Sequence, residues 1–129
     1  MTDLERATNY FKNDIFAMDT CGIQIKKPGE NAECVMHLEK KHKNALDQVM
    51  GGAIFSLADF TLAVALNFDK DPSVTTSATI NFLTTAKGDT LISRAAPIRV
   101  GRKLSYYKVD IYDNLENLVA TVTLNGFRL

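Results

Sequence analysis

The spacing of apolar residues divides the chain into a mixed α and β order. Residues 3 to 18, DLERATNYFKNDIFAM, place Leu4, Ala7, Tyr10, Phe11 and Phe16 mainly at helical intervals. Thr2 with Glu5 three positions later forms a capping-box pattern at the start of that run. Cys21 to Lys26 and Ala32 to Lys40 alternate instead, with Cys34, Met36 and Leu38 on one face and Glu33, Val35, His37 and Glu39 on the other. Pro28-Gly29-Glu30-Asn31 supplies turn chemistry between the two, so they read as a hairpin. After Gly51-Gly52, AIFSLADFTLAVALNF is apolar on nearly every side of a helix, which predicts burial on most sides. The remainder alternates in long runs. A strand begins at Val74, with Val74, Thr76, Ala78, Ile80 and Phe82 opposed by Thr75, Ser77, Thr79, Asn81 and Leu83. Further strands follow at Thr90 to Val100, with Pro97 marking an irregularity, at Leu104 to Tyr112, and at Leu118 to Phe127.

Consecutive strands with short connections pair antiparallel, and only the apolar helix is able to cover one face of the resulting sheet. The expected fold class is therefore α+β, a curved antiparallel sheet wrapped around a central long helix, the hotdog architecture, formed by residues 1–129 as a single domain. Its edge strands invite pairing between subunits, so self-association as a dimer or tetramer is expected.

Composition narrows the function classes. Fifteen basic residues balance fifteen acidic ones, which removes the global electrostatic argument for a nucleic-acid partner. The most apolar stretch, Gly51 to Phe68, is interrupted by Ser56, Asp59, Thr61 and Asn67 and makes a poor membrane span. The first residues lack the basic start and apolar stretch of a secretory signal, and Cys21 and Cys34 form no CxxC pair. A cytoplasmic protein without a disulfide framework or metal site is expected.

Asp59 is the most informative residue, a carboxylate in the middle of an apolar helix and too far in to cap it. Ser56, Asp59, Ala63 and Asn67 fall on one narrow line that faces a cavity or another subunit. Either Asp59 is structural, bonded to a strand or across an interface, or it is a general base or nucleophile made more basic by apolar surroundings. Gly51 and Gly52 precede the helix, where free amides carry the positive end of its dipole and suit a developing oxyanion. Glycines at such a junction also solve purely steric problems. Asn44 reads as a local turn former, and Thr75 and Ser77 as the polar face of a strand. Arg102 and Lys103, with Arg99 nearby, form the compact basic group late in the chain, suited to a phosphate or to solvent. His37 sits on the face shared with Glu33 and Glu39, and His42 in the Lys-rich KKHK, where solvation is expected.

Taken whole, HKNALDQVMGGAIFSLADFTLAVALN resembles the central motif of the PaaI-type hotdog acyl-CoA thioesterases, approximately H-x-N-x-x-G-x-x-H-G-G-x-x-x-x-L-x-D. His42, Asn44, Gly51, Gly52, Leu57 and Asp59 fall in register. VTTSATINFLTTAKGDTL and GRKLSYYKVDIYDNLENLVATVTL resemble the family's later strands. The resemblance implies hydrolysis of an acyl-CoA thioester, aromatic or medium-chain, with no metal or other cofactor. It assigns Asp59 as base or nucleophile, the Gly51 amide as oxyanion donor, Asn44 as a positioning residue and Thr75 as the hydroxyl beside the carboxylate. Met50, Gly52, Ser77, Arg102 and Lys103 are the candidate substrate contacts. It also implies a site between two subunits, Asn44 and Gly51 coming from the neighbour of the chain that supplies Asp59. Two positions depart from the pattern: Asp47 replaces a Gly, and Met50 replaces the His of His-Gly-Gly. A non-catalytic acyl-CoA or lipid-binding module is the alternative from another class, and a hydratase ranks below both.

Overall fold

The computed structural model describes residues 1–129. Helix α1 (Asp3–Tyr10) starts with the expected capping box: the Glu5 amide donates to Thr2 Oγ1 at 3.1 Å and the Thr2 amide to Glu5 Oε1 at 3.3 Å. It is shorter than the pattern predicts. The chain leaves the helix at Phe11, whose ring meets Phe60 edge-on at 5.7 Å, and Phe16–Thr20 then winds separately as a π-helical turn closed by the Cys21 amide on Phe16 O. The break lets Ala7 and Phe11 both enter the core while Ile15 and Phe16 stay exposed.

Six strands follow around the second helix: β1 (Ile23–Lys27), β2 (Glu33–His37), β3 (Ser73–Phe82), β4 (Thr90–Val100), β5 (Leu104–Asp113) and β6 (Leu118–Arg128). All pairings are antiparallel in the order β1-β2-β4-β5-β6-β3, leaving β1 and β3 as edges. Helix α2 (Gly51–Asn67) packs against β2 through β6, and buries Ile54, Leu57, Ala58 and Phe60 to Leu62 along with Val64 to Leu66. Gly126 of β6 permits this approach, since a Cβ there would stand 2.5 Å from Leu66 Cδ1. Asn67 clasps the helix end to β3, its side chain accepting from the Ser73 amide at 2.6 Å and donating to the Ser73 carbonyl at 3.2 Å.

The turn between β5 and β6 is organised by Asp113, which is 1% exposed. Burial alone would push its carboxyl upward. Donation by the Lys87 amide, by the side chain and amide of Asn117, and by the Leu115 amide outweighs that and holds it down at about 2, from 3.8. A group depressed on folding stabilises above its unfolded pKa and loses that contribution as pH falls through the folded value. Wild type should therefore lose stability between pH 3.8 and about 2. Asp113→Ala should cost about 3 kcal/mol at neutral pH and flatten that acid limb, because buried donors lose a charged acceptor. Urea titrations across that range check both, and an unchanged acid limb in the variant would remove Asp113 as its source.

Candidate active site

The line expected on α2 is present: Ser56, Asp59, Ala63 and Asn67 are partly accessible, whereas the flanking positions Leu57, Ala58, Phe60, Leu62 and Val64 are buried. Asp59 is thus half-buried rather than enclosed. Its Oδ1 accepts from Thr75 Oγ1 of β3 at 3.1 Å, which leaves Oδ2 unengaged. Thr75 reaches it because β3 is irregular. Its partners on β6 step from Gly126 to Asn125 while β3 advances from Thr75 to Ser77, so Thr76 is an extra residue. Thr75 consequently stands opposite Gly126, on the face that α2 covers. Ser77 points the other way, accepting from Asn125 Nδ2 at 3.0 Å. The expected common face of Thr75 and Ser77 is therefore not formed, and Val74 stands opposite Phe127 and is exposed. The structure keeps Ser77 away from Asp59.

Gly51 and Gly52 belong to the first turn of α2 rather than preceding it. Met50 is the N-cap and has no side-chain oxygen to offer, its carbonyl taking the Ala53 and Ile54 amides. The Gly51 and Gly52 amides donate to nothing in the chain. Asn44 and Gly51 line one cleft of about 460 Å³ with Val49, Ile54 and Phe82. Asn44 Oδ1 accepts from the amides of Leu46 at 2.9 Å and Gln48 at 3.2 Å, the local turn expected of it, while its Nδ2 has no partner in the chain. Gly51 also makes room for Phe82, since a Cβ there would lie 3.1 Å from the ring. Met50 and Gly52 line a second, mostly apolar cavity of about 320 Å³ beside Phe16 and His42.

His42 departs from the expectation of a solvated turn. It is 4% exposed; its Nδ1 accepts from the Glu39 amide at 2.9 Å and its Nε2 donates to Cys21 O at 2.7 Å, which makes the ring a structural pin. The three neighbouring lysines conceal this in the sequence. Asp47 also finds an explanation: its φ is 61°, the left-handed region that a Gly accepts freely and an Asp tolerates. Its carboxylate faces solvent, 4.0 Å from Lys43 Nζ. Arg102 and Lys103 form the exposed tip between β4 and β5, at the same end of the sheet as Thr75, with Lys103 Nζ 6.0 Å above the Phe127 ring. His37 remains at the surface, 3.1 Å from Thr90 Oγ1.

Gly51 and Asp59 are eight residues apart on one straight helix, which separates them by about 12 Å along its axis. One chain therefore carries two half-sites, a carboxylate with a hydroxyl and free amides with an Asn side chain, that do not converge on one atom.

The model of the thioesterase superfamily matches residues 47–120, a span holding Gly51, Asp59 and Thr75. The chain belongs to that family. Acyl-coenzyme A thioesterase PaaI of Escherichia coli is 30% identical over 118 residues, covering 90% of this chain and 84% of that protein. Its solved structure superposes with a TM-score of 0.89 over 98% of this chain and 94% of that one, at 25% identity. A protein of Archaeoglobus fulgidus is 31% identical over 129 residues, covering 98% of this chain and 83% of its own length. A thioesterase protein of Streptococcus pneumoniae, solved with coenzyme A, shares the fold at a TM-score of 0.84 and 21% identity, over 92% of this chain and 96% of that one. The chain is a thioesterase of the PaaI type with the hotdog fold.

Proposed function

We propose that this PaaI-type thioesterase hydrolyses acyl-CoA thioesters to a free acid and coenzyme A at a site completed by two copies of the chain. The observation that carries the reading is the pair of unlike half-sites about 12 Å apart on α2. Strand β3 is a ten-residue edge, mostly exposed and free of Lys and Pro, of the kind that pairs with a second copy. Helix α2 and β3 run in opposite directions, Gly51 lying against Phe82 and Asn67 against Ser73. Antiparallel pairing of two β3 strands about their middles sets the Thr75 end of one copy level with the Phe82 end of the other. Asp59 and Thr75 then meet the Gly51 amide and Asn44 of the second copy.

In this site Thr75 donates to Oδ1 of Asp59, and Oδ2 takes a proton from water as the water oxygen bonds to the thioester carbon. The Gly51 amide receives the oxyanion, and Asn44 Nδ2 is the second donor. Collapse breaks the carbon–sulfur bond, and the departing thiolate takes the proton from Asp59. Each step balances, and none calls for a cofactor. Arg102 and Lys103 are assigned to the coenzyme A phosphates on charge and placement. The related PaaI acts on acyl-CoA and the S. pneumoniae protein was solved with coenzyme A, which supports the substrate class. No helix is long and apolar enough to cross a membrane, and two buried free thiols fit a reducing compartment, so cytoplasmic residence is part of the reading.

The test is thiol release from a panel of aromatic and aliphatic acyl-CoA compounds, followed by mixing of two inactive variants. Asp59→Asn and Gly51→Pro, co-refolded, should recover up to about a quarter of wild-type activity, since half of the dimers carry one intact site. Absence of thiol release by wild type, or absence of recovery in hybrids verified by mass, would overturn the reading.

A further inference from the structure

A cavity of about 420 Å³ opens beside Asp59, between α2 and the segment that winds into the π-helical turn. Its walls are largely apolar, from Ile15, Phe16, Phe55, Phe60 and Ala63, and Asp59 stands in the lining. The cavity around Met50 and Gly52 lies next along the helix, and Phe16 and Ser56 belong to both linings. Phe16 and Ser56 therefore mark the junction of the two cavities, a ring from the turn and a hydroxymethyl group from α2. The backbone holds the ring there: the wide turn closed by the Cys21 amide on Phe16 O carries the side chain outward, 64% exposed, although it is a large apolar group. Widened turns of this kind occur disproportionately at functional sites.

We infer that Phe16 is a specificity-determining residue: the acyl group enters the cavity beside Asp59, and the Phe16 ring sets how far it extends along α2. The inference rests on the proposed thioester hydrolysis at Asp59. The thioester carbon attacked by the water at Oδ2 lies beside Asp59, and the apolar space that Asp59 borders, this cavity, is where its acyl group extends. Asp14 shares the lining with Asp59, so two carboxylates border it and an acyl group ending in its own carboxylate is disfavoured. The accepted class is an uncharged acyl group, aromatic or short aliphatic. Truncating the ring joins the first cavity to the second and lengthens the space open to the acyl group.

The experiment compares kcat/KM for straight-chain acyl-CoA compounds from butyryl to dodecanoyl, with phenylacetyl-CoA and glutaryl-CoA, in wild type, Phe16→Ala and Phe16→Trp. An exposed ring leaves folding intact on truncation. Phe16→Ala should raise the decanoyl-to-butyryl ratio by about 10-fold or more, since each methylene in an apolar pocket is worth about 10-fold or more in discrimination. Phe16→Trp should lower it, and Ser56→Leu, which fills the junction from the helix side, should lower it as well. Ile98→Ala removes an equally exposed apolar side chain on β4, three strands away from β3 in the sheet, and should leave the ratio unchanged. Wild-type hydrolysis with the same ratio in the Phe16 variants, or an equal shift in Ile98→Ala, would overturn the inference and leave the thioesterase reading standing. Failure of wild type to release thiol from any compound would overturn both.

Discussion

Gly51→Pro should fold like the wild type and release thiol about 10²–10³-fold more slowly, the loss typical of removing one oxyanion donor. Position 51 is the first residue of α2, where proline is favoured, because the missing N–H has no partner inside a helix and the fixed φ suits the first turn. Met50, with φ −64° and ψ 136°, already has the extended conformation that a following proline requires. The added ring meets Phe82, which is half exposed. The substitution thus deletes one donor and almost nothing else. Gly51→Ala is its control, since it sets the same Cβ against Phe82 and retains the amide. A proline variant with wild-type kcat and an unchanged melting temperature would exclude the Gly51 amide from catalysis.

Asp59→Asn should lower kcat by about a hundredfold or more with the oligomer intact, the range expected when a general base is removed. An amide oxygen still accepts from Thr75, and the group is half-buried and free of any ion pair, so folding stability should shift little. Stopped assays of thiol release, read beside thermal melts, separate the two effects. Turnover within tenfold of wild type would assign Asp59 a structural role at the interface instead.

The elements that were legible from the chain are those in which one periodicity runs uninterrupted. Helix α2 announces itself by an apolar run that only a buried helix accommodates, and its one accessible line was readable because Ser56, Asp59, Ala63 and Asn67 are the small or polar exceptions. The capping box at Thr2 and Glu5 is a local interaction and was legible for that reason. The end of α1 was not, since Phe16 continues the helical spacing of Leu4, Ala7 and Phe11 although the helix ends before it and the backbone turns wide from Phe16 on. The extra residue at Thr76 is equally hidden: Thr75, Thr76 and Ser77 are so alike that alternation fits with or without it, and only the pairing with β6 decides which hydroxyl reaches Asp59. His42 shows the opposite failure, in which local composition misleads because the lysines point outward while the ring closes two backbone groups of the interior. Its signal lay in the family spacing with Asn44. Asp113 stands in the sequence only as a residue between two strands, and its depressed carboxyl follows from donors that converge on it, one of them 26 positions away in sequence.

The start of α2 carries one more implication, for how this protein is altered by selection or by design. A Ser or Asp at position 50 would cap the helix and typically add about 1 kcal/mol of stability, and it is among the first changes a stabilising programme would choose. Such a side chain would take the Gly52 or Ala53 amide and set its oxygen beside the Gly51 amide that the proposed site gives to the oxyanion, competing with it for the positive end of the helix. Methionine at this position forgoes the cap and keeps the Gly51 and Gly52 amides vacant. In the proposed site, thermal robustness and turnover therefore pull in opposite directions at a single residue, and methionine there sits on the side of turnover.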